Sequence, residues 1–168
     1  MGMVCEFWMV TKEEIVKISN MSEDDFIENF LEGHLVGNYT VSVGVDKAWD
    51  GLNYLMSRAT QEKNFPIGFF HLGTPLGFLV GNLGHDDPGV RWYNENETAI
   101  IADFLDSFNR ERLLEHFDPS KMDKEGIYPP GIWTESHAFD YLYEQFERLQ
   151  RFFRDTADVG SCVITTYS

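Results

Sequence analysis

The sequence predicts an α+β fold, with a central mixed or antiparallel sheet that includes the N- and C-terminal strands. Several helices, one of them long and near the C-terminus, are expected to cover that sheet. Three observations carry the prediction. "MVCEFWMV" (3–10) and "SCVITTY" (161–167) are β-prone segments at opposite ends, and chain ends usually fray unless a sheet ties them down. Helical periodicity dominates between them, most plainly in "TESHAFDYLYEQFERLQRFFRDTADVG" (134–160). The 168 residues suit one domain over 1–168, large enough to bury a core without a metal or disulfide staple.

The elements follow in order. After the first strand, Thr11 and Glu14 have the spacing of a capping box, which predicts a short helix through Ile15 and Ile18. Ser22 stands as N-cap of "SEDDFIENFLEG", with Glu23, Asp24 and Asp25 at the positive end of the helix dipole and Gly33 as stop. "NYTVSVGV" (38–45) alternates as a strand does. "DKAWDGLNYLMSRA" (46–59) reads as a helix capped by Asp46, with Trp49, Leu52, Leu55, Met56 and Ala59 on one face.

The glycine-rich segment 64–89 fits either short buried strands or a packed loop, and Arg91 to Tyr93 fits a strand. From Glu95 a helix carries Ile100, Ile101, Phe104, Leu105 and Phe108 as an apolar stripe, and Asn109 caps the next one. "FDPSKMDKEGIYPPGIW" (117–133) then interrupts the helices, because Pro119, Pro129 and Pro130 do not fit helix interiors. The long helix restarts with Thr134 or Ser136 as cap and stops at Gly160. Ala138, Leu142, Phe146, Leu149 and Phe153 form its seam, and Glu144–Arg148 and Glu147–Arg151 are spaced as outer i,i+4 pairs.

Charge narrows the function classes. Thirteen basic against 28 acidic residues give a net charge of -15, which repels nucleic-acid phosphate and anionic lipid alike. Such a field favours solubility or a basic partner. Two cysteines, Cys5 and Cys162, make no disulfide framework and fit buried reduced thiols. No basic segment leads into an apolar run of signal-peptide type, and Glu6 stands where a myristoylation motif needs Ser or Thr. The expected location is the cytoplasm.

Three landmarks appear in a fixed order: "MGM" at the start, "KAWDGLNYLM" (47–56), and "FDPSKMDKEGIYPPGIW" leading into the long helix and last strand. In these the chain resembles the YfbM-like family of small bacterial proteins. It departs from the family pattern at "YLMSR" (54–58) and through 64–89. The resemblance implies an α+β domain and a bacterial cytoplasmic protein, and supplies no catalytic residues.

Motifs for chemistry are sparse. There is no G-x-S-x-G elbow, no Walker or G-x-G-x-x-G glycine pattern, and no H-x-x-x-H among His34, His71, His85, His116 and His137. "HDD" (85–87) and the Glu135–His137 pair fit a turn and a helix start better than metal sites, so no metal or cofactor is expected. Asp50, next to Trp49 on the helix, fits a cap or ion pair ahead of a general base. The aromatic–proline run Tyr128–Trp133 fits a structural clasp ahead of a ligand site, although long ordered loops also carry sites.

Two functions remain open at this level. The first is a non-enzymatic acidic protein, immunity- or inhibitor-like, that binds a protein partner, a basic one being the kind its charge would favour. The second is a small enzyme or ligand sensor whose cleft gathers Trp49, Asp50, His71, Tyr128, Trp133 and His137.

Overall fold

The computed structural model describes residues 4–32, 41–60, 74–75 and 90–167. Strand β1 (Cys5–Val10) lies antiparallel to β5 (Cys162–Tyr167), in register from Cys5–Tyr167 to Val10–Cys162. The two ends of the chain thus form the middle of the sheet. Trp8 Nε1–H donates to Thr166 Oγ1 at 3.0 Å across this pair. Strand β2 (Ser42–Gly44) joins the free side of β1, and β4 (Arg91–Tyr93) joins β5. A two-residue strand β3 (Thr74–Pro75) lies beyond β4, so the order is β2-β1-β5-β4-β3 with every pairing antiparallel. Apart from Thr74–Pro75, the ambiguous 64–89 segment lies outside the described residues, as do Gly33 and residues 38–40.

Because strand side chains alternate, β1 and β5 feed two cores. Cys5, Phe7 and Val163 face one side, where they meet the large helical layer. Trp8, Val10, Cys162 and Ile164 face the other, against Ile15, Ile18, Phe26 and Phe30. Large rings fill both: Phe7 meets Phe153 edge-on at 5.5 Å, and Phe26 stacks on Phe30 at 5.0 Å. The aromatic richness of the sequence is therefore core packing.

On the smaller side, α1 (Lys12–Ile18) starts with the expected box: Thr11 Oγ1 accepts from Glu14 N–H and Glu14 accepts from Thr11 N–H. Next comes α2, an α-helical turn Glu23–Asp25 that widens to π-helix over Phe26–Glu32. Ser22 Oγ accepts from Asp25 N–H, as its N-cap position requires.

On the larger side lie α3 (Trp49–Thr60), α4 (Glu95–Asp106), α5 (Arg110–Leu114), α6 (Pro119–Glu125) and α7 (Ala138–Asp158). Asn94 with Glu97 closes a second capping box, and Asn109 caps α5. Gly160 stops the long helix with φ +65, where a side chain would be strained.

Four local expectations are corrected. Asp46 does not cap α3; it sits in a turn at φ +46, and the helix begins three residues later. The 117–133 stretch is not all connection, since Asp118 caps α6 and Pro119 occupies its first turn, where no N–H is needed. Neither Thr134 nor Ser136 caps α7; His137 holds that position without a side-chain bond. Ile100 points outward, half exposed, while Thr98 and Ala102 join Ile101 and Leu105 inside.

Candidate functional site

The 127–133 segment crosses the start of α3, and three consecutive α3 residues receive it. Trp49 stacks on Tyr128 with ring centroids 5.5 Å apart and planes 22° apart. Asp50 Oδ2 accepts the Tyr128 backbone N–H at 2.8 Å. Gly51 leaves room for the Trp133 indole: a Cβ there would lie 2.7 Å from Trp133 Cη2 and 2.8 Å from Leu142 Cδ2. The segment also closes on itself and on α6. Trp133 Nε1–H donates to the Ile127 carbonyl at 2.8 Å, and Gly131 N–H donates to Asp123 Oδ1 at 3.1 Å. A cis peptide joins Tyr128 to Pro129. Trp133 is 0% exposed.

Of the candidate cleft residues, the fold therefore gathers Trp49, Asp50, Tyr128 and Trp133. His137 does not join them through any described contact. Its imidazole is exposed, with Nε2 3.2 Å from Glu135 Oε2. His71 lies outside the described residues. Asp50 is half-buried, and burial raises its carboxyl pKa, with the Tyr128 N–H opposing the shift.

One neighbour was missed from sequence. Tyr141 O–H donates to Asp46 Oδ2 at 2.8 Å, joining the first turn of α7 to the turn before α3. Burial, then the Asp46 acceptor, pushes this phenol above its ordinary range. The positive φ of Asp46 is the local price of aiming its carboxylate, and Asp tolerates that conformation better than most residues.

Neither thiol is activated. Burial pushes Cys5 far up and Cys162 up to about 11, the reverse of what a nucleophile needs. Among the described residues no three His, Cys, Asp or Glu side chains group to hold a metal. An open hollow of about 420 Å³ on α6 is lined by Asp118, Ser120, Lys121, Lys124 and Glu125, a mixture of both signs.

The surface is more distinctive. Asp140, Glu144, Glu147, Asp155 and Asp158 lie along the exposed side of α7, with Arg148 and Arg151 exposed among them. The predicted Glu144–Arg148 and Glu147–Arg151 pairs do not form: Arg148 donates to Gln145 Oε1 and Arg151 to the Glu147 carbonyl. Elsewhere cations are already held, Arg154 by Asp103 and Asp106, Arg58 by Glu125.

At the N-terminal end of this face, Arg110 of α5 lies over two α7 rings. Its Cζ is 5.0 Å from the centroids of both Phe139 and Tyr143, and its guanidinium pairs with Asp140. Burial raises the Tyr143 phenol, Glu147 and Glu111 add to the shift and Arg110 opposes it. Two residues on, Arg112 covers the Phe108 ring at 4.6 Å and donates to the Ser107 and Ala59 carbonyls. Arg112 is thus locked into the backbone, whereas the described contacts of Arg110 run to side chains: buried Phe139, half-buried Tyr143 and exposed Asp140.

Comparison with solved structures finds the same architecture in the crystal structure of YfbM, a protein of unknown function from Escherichia coli. The match has a TM-score of 0.67 and 22% identity, and covers 98% of this chain and 99% of that one. At that identity the likeness concerns the fold. No curated protein matches the chain. No described helix is long and apolar enough to cross a membrane. With residues 1–166 matching its family profile, the chain belongs to DUF1877, a domain-of-unknown-function family.

Proposed function

We propose that this protein is a non-enzymatic, acidic binding domain of the bacterial cytoplasm, acting on a basic protein as an immunity or inhibitor protein does. The observation that carries this is the unbalanced outer face of α7. Glu144, Glu147, Asp155 and Asp158 stand exposed there, none of them in an ion pair among the described residues, in a chain of net charge -15. Such a face raises the encounter rate with a positive surface and discourages wrong partners.

The alternative, a small enzyme or sensor at Tyr128–Trp133, draws support from the raised pKa of half-buried Asp50. It has less to work with, because the chain's own Tyr128 and Trp133 occupy the apolar surface of α3. Calorimetric titration with a panel of basic and acidic small proteins separates the two. Saturable 1:1 binding of a basic protein, weakening steeply with salt, is the expected result. A silent panel, together with a metabolite that raises the melting temperature of the wild type but not of Trp133→Ala, would favour the cleft instead.

A further inference from the structure

Resting on that acidic-binding function, we infer that the docking point is the Phe139–Tyr143 ring pair of α7, and that it takes an arginine of the partner in place of Arg110. The platform already shows what it accepts. A guanidinium sits over both rings at 5.0 Å and pairs with Asp140 beside them. Phe139 and Tyr143 are themselves near parallel, centroids 6.2 Å apart and planes 17° apart, and the guanidinium is equidistant from both. A planar guanidinium stacks on such rings and forks to a carboxylate at once, which an ammonium does less well.

The occupant is displaceable. Arg110 and Asp140 are both exposed, and the described contacts of Arg110 all run to side chains, not to backbone carbonyls as for Arg112. Charge complementarity selects the incoming group. Glu111 and Glu147 flank Tyr143, and Glu144 follows along the helix, so a second cation on the patch meets excess carboxylate. The partner is therefore a basic segment whose leading residue is arginine. Arg110 acts as its stand-in until it arrives, keeping the rings covered.

The test uses fluorescence anisotropy with labelled hexa-arginine and hexa-lysine peptides at low salt. Hexa-arginine should bind more tightly than hexa-lysine. Arg110→Ala should strengthen hexa-arginine binding about threefold or more by clearing the platform, beyond the effect of the charge-matched Lys124→Ala on α6. Tyr143→Leu keeps an apolar side chain but removes the ring, and should weaken it about three- to fivefold. Circular dichroism checks that each variant is folded. Equal responses to Arg110→Ala and Lys124→Ala, or no loss in Tyr143→Leu, would overturn the docking point while leaving an acidic-binding function standing. If neither peptide binds the wild type, both fall.

Discussion

Gly51 and Trp133 meet with no space between them: a Cβ on residue 51 would stand 2.7 Å from the far edge of the indole. Alanine is the better helix former by about 1 kcal/mol, so at a free site Gly51→Ala would stabilise α3. Here the ring it strikes is fully buried and cannot swing away. The overpacking cost of about 1–3 kcal/mol should win, and urea unfolding should show a lower midpoint than wild type.

Trp133→Ala removes the largest fully buried side chain and leaves a cavity beneath the clasp. A loss of about 3–5 kcal/mol is expected, a large share of a domain's stability. Trp133→Phe keeps most of the volume but not the bond to the Ile127 carbonyl. It should cost less than the alanine change, with about 1–3 kcal/mol of that cost reflecting the unpaired carbonyl.

Asp50 offers a pH prediction. Because burial raises its pKa, the folded protein holds this proton more tightly than the unfolded chain does. The stabilisation from the protonated group is complete below the ordinary carboxylate pKa and is lost as pH rises through the raised one. Asp50→Asn still offers an oxygen to Tyr128 N–H without the buried charge. It should therefore gain on wild type in melting temperature at pH 7, with the difference shrinking towards pH 4. Asp50→Ala should be destabilised at both values, since Tyr128 N–H then loses its acceptor.

Both thiols should resist modification in the native state. With Cys162 at about 11 and Cys5 higher still, roughly a thousandth or less of either is thiolate at pH 8, and both side chains are buried. A disulfide-exchange reagent should react with two thiols in denaturant and with essentially none before it. Fast labelling of the native protein would count against this.

The features legible in residue order are local ones. The end strands, the Thr11–Glu14 box, the Asn109 cap, the α7 seam and the Gly160 stop all follow from periodicity and from bonds spanning a few residues. Helix α6 belongs with them, for Asp118, Pro119 and Gly126 are its start and stop signals, although the neighbouring prolines masked it. The rest depends on how distant elements pack. Asp50 and Tyr128 are 78 residues apart, and no local rule says which backbone N–H a helix carboxylate will meet. The fit of Gly51 under Trp133 and the seat of Arg110 on Phe139 and Tyr143 depend likewise on how separate helices pack. Side-chain pairing on α7 shows the same limit at short range, because Arg148 had a nearer acceptor in Gln145 than the glutamate its spacing favoured. Local bonds are written in residue order; contacts between elements are settled by shape and burial, which close packing determines for the whole chain at once.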